Sequence, residues 1–97
     1  MESAKVEQFY NKNQFIITTE KATIFQRYNS TVAKIENGCL TLGRDWDYSK
    51  TTMKHFYLFL GEFIRDSQIN DALYSCNKRA AIQKLIDEGA IEYDEEM

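Results

Sequence analysis

The dipeptide Asn37-Gly38 constrains this chain more than any other feature of its sequence. A type I′ hairpin turn needs positive φ at both central positions, and Asn followed by Gly meets that need at the least steric cost. A two-residue loop there pairs Glu36 with Cys39, Ile35 with Leu40 and Ala33 with Leu42. That register puts Ala33, Ile35, Leu40 and Leu42 on one face and Lys34, Glu36, Cys39 and Thr41 on the other. This is the alternation a half-buried antiparallel sheet requires, and a slip of one residue would invert it.

Upstream, Phe15–Thr19 and Ala22–Tyr28 have the β-branched and aromatic content of strands, with Glu20-Lys21 as the turn between them, although neither residue favours positive φ. If 23–36 were one unbroken strand, Ile24 would fall on the face opposite Ile35, so a bulge or bend is expected at Tyr28-Asn29-Ser30. Residues 1–13 are polar around Phe9 and Tyr10, and two readings stay open for them: a short helix docking those rings, or a loosely ordered arm.

After Gly43 the apolar period changes from two to three and four. Met53, Phe56, Tyr57, Leu60, Phe63 and Ile64 mark one face of a helix over about 49–66, with Asp47 and Ser49 both suited to cap its start. Gly61 inside it implies close packing or a bend. Shorter helices are expected over 69–74 and 77–88, the last ended by Gly89 in a left-handed conformation. Ala90–Asp94 alternates, as a final strand or an extended tail. The chain therefore reads as one α+β domain over 1–97: an antiparallel sheet of three to four strands in the first half, packed by an aromatic-rich helix and C-terminal helices.

At 97 residues, with 43% hydrophobic and 13% aromatic side chains, no Pro and four Gly, such a domain has the bulk for a dense core and few breakers. No apolar run is long enough to span a membrane, and the N-terminus lacks the apolar core of a signal peptide. A cytoplasmic protein without a membrane partner is expected. Cys39 and Cys76 have no metal-ligand spacing and read as reduced, partly buried small hydrophobes.

Catalytic, cofactor and metal sets do not assemble. His55, the single histidine, has no ligand at four-residue spacing and no nucleophile placed beside it, and reads as a boundary residue packing on an aromatic ring. Asp45 and Asp47 flank Trp46, but two acids two residues apart lack the further oxygen ligands of a cation loop. The structural reading assigns Trp46 as an anchor, Asp47 or Ser49 as the cap, and Asn37 and Gly38 as the hairpin turn. A non-enzymatic protein is expected.

Charge is uneven. Of 15 acids, Asp87, Glu88, Glu92, Asp94, Glu95 and Glu96 follow residue 86 with no base among them, leaving nine acids against 12 bases in 1–86. The candidate partner-binding residues are Glu92, Asp94, Glu95 and Glu96 of the acidic tail over 92–97, with Tyr57, Lys78 and Arg79 of the helical half. Lys50, Lys54, Arg65 and Lys84 add to the bases there and offer an alternative reading as a DNA-associated accessory of replication, transfer or gene control, against which the tail acts by repelling phosphate. Tyr48, Tyr57, Phe59 and Phe63 exceed what a small sheet can cover, so a protein interface, including a homodimer, is a third use of the surface.

The strings Phe25-Gln26-Arg27-Tyr28-Asn29-Ser30-x-x-Ala33, Leu40-Thr41-Leu42-Gly43-x-Asp45-Trp46-Asp47-Tyr48-Ser49-x-Thr51-Thr52, His55-Phe56 and Phe59-Leu60 resemble a family of small uncharacterised proteins. These are encoded by phages, plasmids and conjugative elements of low-GC Gram-positive bacteria. The similarity covers about residues 22–60. It implies a mobile-element origin and an accessory role in a bacterial host cell. The concrete form expected is an inhibitor of a host defence nuclease, of the anti-CRISPR type.

Overall fold

The computed structural model describes residues 4–28 and 30–97. Five strands come first: β1 (Lys5–Phe9), β2 (Asn11–Thr18), β3 (Ala22–Arg27), β4 (Ser30–Glu36) and β5 (Cys39–Leu42). Three helices follow, α1 (Lys50–Phe63), α2 (Ser67–Leu73) and α3 (Lys78–Asp87), and then β6 (Glu92–Tyr93). All six strands form one sheet in sequence order, antiparallel from β1 to β5, with β6 parallel to β5. The fold is α+β, and its sheet is larger than the sequence indicated.

The extra strand comes from the segment read as helix or arm. Residues 5–9 pair with β2, Val6 opposite Ile17 and Gln8 opposite Phe15. Only Phe9 of this strand is buried. Its place is set by the free edge of β2 more than by its own residues, and Lys5 and Glu7, in an ion pair, charge the outer edge as edge strands commonly require.

Asn37 (φ 54) and Gly38 (φ 76) form the expected turn, with the expected pairing of β4 and β5. At Glu20-Lys21 no positive φ is used. The Thr19 hydroxyl accepts from the amides of Lys21 (3.2 Å) and Ala22 (3.0 Å), while the Thr19 amide donates to the Ala22 carbonyl (2.9 Å). A side chain thus closes the turn in place of a special backbone.

The break expected at 28–30 is a complete reversal, in which Asn29 lies outside the described residues. The irregularity sits further along: Phe25 pairs with Ala33 but Gln26 with Thr31, leaving Val32 as the extra residue of a bulge. Both Val32 and Ala33 are buried as a result. The bend does not bring Ile24 to the face of Ile35, because Ile24 pairs with Lys34 and it is Phe25 that faces the helices.

The core lies between that face and α1, where Phe25 and Phe59 stack at 5.5 Å and Phe25, Phe56, Phe59 and Leu60 have no exposed surface. α1 ends at Phe63, three residues short of the expected 66, because Asp66 caps α2 and accepts from the amides of Gln68 (2.9 Å) and Ile69 (3.1 Å). Gly61 is exposed, with open space where a side chain would point, so no close packing requires it. Close approach does occur at Gly43, whose amide donates to the Val32 carbonyl (2.9 Å) and where a Cβ would run into the Thr31 carbonyl oxygen.

At the end of α3 the Ala90 amide reaches the Leu85 carbonyl (2.9 Å) and the Gly89 amide the Ile86 carbonyl (3.1 Å), with Gly89 at φ 81. This cap turns the chain so that Ile91 is buried and Glu92–Tyr93 lie beside β5. Among the described residues no helix is long and apolar enough to cross a membrane.

Candidate functional site

The junction from β5 to α1 is built around Trp46, which is 2% exposed and meets Phe56 edge-on at 5.8 Å. Ser49 is the cap of α1: its hydroxyl accepts from the Thr52 amide at 3.1 Å and contacts the Thr52 hydroxyl at 3.0 Å. Asp47 does not cap. Its carboxylate accepts from Arg79 Nη2 at 2.7 Å, tying the start of α3 to the junction. An ion pair with a guanidinium satisfies Asp47 more fully than one backbone amide would, and leaves the cap to the nearer serine.

The three helices then enclose a groove of about 530 Å³ lined by Lys50, Met53, Lys54, Tyr57, Leu58, Leu73 and Lys78. Its floor is apolar, three ammonium groups line it, and among the described residues no acid does. Leu58 remains 39% exposed, so the described residues do not cover this helical face. The Tyr57 phenol is pushed up from its ordinary pKa by burial, with Arg79 opposing and Asp47 adding. It is therefore a neutral hydroxyl at physiological pH.

Of the residues singled out from the sequence, Tyr57 and Lys78 meet in this groove, and Arg79 stands beside it in its pair with Asp47. Glu92, Asp94, Glu95 and Glu96 are elsewhere, exposed on the β6 edge. Asp94 is held in place there: its amide donates to the Leu42 carbonyl (2.9 Å), and its carboxylate accepts from the Glu96 amide (3.0 Å). Of the other bases, Lys50 and Lys54 share the groove, whereas Lys84 reaches Glu88 at 3.8 Å and Arg65 is exposed between α1 and α2. Sequence reading missed Met53, Leu58 and Leu73 as surface. The signal was present in part: Lys50, Lys54 and Leu58 recur every four residues beside Met53 and Tyr57, a stripe next to the core stripe.

His55 closes the other flank of α1. Gln14, wholly buried, donates through Nε2 to the Phe9 carbonyl at 3.0 Å, which turns its Oε1 toward His55 Nδ1 at 2.9 Å. Nδ1 then carries the proton and Nε2 is bare. Burial, then Lys54, then Arg27 lower the His55 pKa, and the Tyr10 ring stacks on the imidazole at 5.9 Å and 6°. Cys39 and Cys76 are free, and both are exposed where partial burial was expected: Cys39 takes the outer face of β5 and Cys76 the α2–α3 link. Among the described residues no cluster of three His, Cys, Asp or Glu side chains is placed to hold a metal ion.

The model of a family of unknown function, DUF8033, matches residues 1–79. No curated protein and no solved structure matches the chain.

Proposed function

We propose that this chain, which belongs to the family of unknown function DUF8033, works by binding another protein through the lysine-lined groove of its helices. The observation that carries the reading is the pairing of an apolar floor with three lysines and no acid. Aromatic, Met and Leu side chains supply the anchor energy of protein interfaces, and charges around them select the partner and its register. The occupant that complements this groove is an acidic segment with apolar anchors, laid down as a helix or an extended stretch.

The partner class we put first is a host defence nuclease, which the chain would inhibit on behalf of a phage or other mobile element. That step is supported by the resemblance of residues 22–60 to mobile-element proteins. The exposed carboxylates of the β6 edge add a surface suited to the basic, nucleic-acid-binding cleft of such an enzyme. The test is a titration of purified chain into cleavage reactions of the host's CRISPR and restriction nucleases on labelled DNA. Stoichiometric inhibition of one of them is expected. Full cleavage by all at a large excess of chain, with unchanged phage restriction in cells expressing it, would reject the proposal.

A further inference from the structure

Among the described residues three other than glycine have positive φ, and two of them are tyrosines at one end of the sheet: Tyr10 (φ 59), after β1, and Tyr28 (φ 53), after β3. They share that end because alternate hairpin turns of an antiparallel sheet in sequence order lie together. A bulky residue in this region is uncommon and costs on the order of 1–3 kcal/mol, and such strain concentrates at working sites. Burial does not offset the cost, since the two residues are 67% and 57% exposed.

Tyr48, 72% exposed, joins them from the β5–α1 junction. With Tyr28 it lines a concavity of about 280 Å³, whose other polar walls are Arg27, Ser30, Asp45 and Thr52. The Arg27 guanidinium lies 5.1 Å from the Tyr28 ring centre, and the Tyr10 ring on His55 extends the aromatic surface beyond it. This place differs in kind from the helical groove: flat rings around polar walls, in contrast to an apolar floor.

We infer that this end of the sheet binds single-stranded nucleic acid, with an unpaired base in the concavity stacked against Tyr28 and Tyr48. Stacking on aromatic faces suits any base and needs its face free, which a duplex denies. Arg27 adds cation–π attraction and a phosphate partner. The Ser30 hydroxyl and the Asp45 carboxylate offer groups to base edges, the carboxylate to an exocyclic amine. Glu95 and Glu96 border a depression that shares Ser30 and Asp45, so the phosphates run on the opposite, Arg27 side. Low salt, which strengthens the contact of the Arg27 guanidinium with phosphate, is the condition in which to look.

The experiment is fluorescence anisotropy of the full chain with a labelled oligonucleotide of about 16 nucleotides, single-stranded and as a duplex, at low salt. The variants are Tyr48→Ala and Tyr28→Asn, the asparagine chosen because it tolerates the positive φ, with Tyr74→Ala, a 90% exposed tyrosine at the end of α2, as control. The single strand is expected to bind more tightly than the duplex, each tyrosine variant to weaken it about 5- to 150-fold with thermal melting no lower than that of wild type, and the control to match wild type. No binding of the single strand, equal affinity for the duplex, or undiminished affinity in the folded tyrosine variants overturns the inference. So does loss of nuclease inhibition in those variants with single-strand affinity intact, which would make the rings a protein contact.

Discussion

Two glycines in this chain respond oppositely to the same substitution. At Gly43 a methyl group meets the Thr31 backbone carbonyl, which cannot move without disturbing the β4 bulge, so Gly43→Ala is expected to cost about 1–3 kcal/mol, at the upper end of that range. At Gly61 the same methyl points into open space inside a helix, and Gly61→Ala is expected to stabilise by about 0.5–1 kcal/mol. Urea unfolding of both variants checks the pair, and the same sign for both would contradict the packing described. His55 makes a pH prediction. Its folded pKa lies below the ordinary 6.5, so the unfolded chain takes up the proton first as pH falls. Its contribution to stability is complete above 6.5 and is lost as pH drops from there toward the folded value. An NMR titration should place its midpoint below 6.5, and Gln14→Leu, which strands the Phe9 carbonyl and His55 Nδ1–H, should cost about 1–3 kcal/mol.

Among the elements, α1 offers the sharpest test of how the junction is held. Ser49→Ala removes the cap and is expected to cost about 1 kcal/mol, whereas Asp47→Ala removes a surface ion pair worth about 0–1 kcal/mol. A larger loss at Asp47 in denaturant unfolding would return the cap to that residue. The parts of the fold written in local signals were legible: Asn37-Gly38 with its alternating flanks, the helical period after Gly43, and Gly89 at the end of α3. Elements that depend on a distant neighbour were not. β1 exists because β2 has an open edge, and β6 because the α3 cap delivers Glu92 beside Thr41. The Val32 bulge answers to packing under α1, and no residue type announces it. The groove was half legible, since Tyr57 and Lys78 carry the chemistry of a contact, but Leu73 reaches it only once α2 has folded back on α1.

At the scale of the whole molecule, the sheet spends one face and α1 on the core, and the features left for recognition are spread over three surfaces: the groove, the tyrosine end and the acidic edge. The proposed role as a protein-binding inhibitor places its affinity in the groove, where Leu58 is exposed beside half-buried Met53, Tyr57 and Leu73 and the charge has one sign. Substitution there should remove binding without unfolding the chain, since Leu58 and the lysine heads are accessible. The most direct measurement is phage restriction in host cells carrying an active defence nuclease and expressing wild type, Leu58→Asp, or Lys50→Glu with Lys54→Glu, each variant first shown to melt as the wild type does. Wild type is expected to relieve restriction and both groove variants to fail. Relief by the groove variants equal to that by wild type, or no relief by wild type under any nuclease the host encodes, would contradict the proposed role.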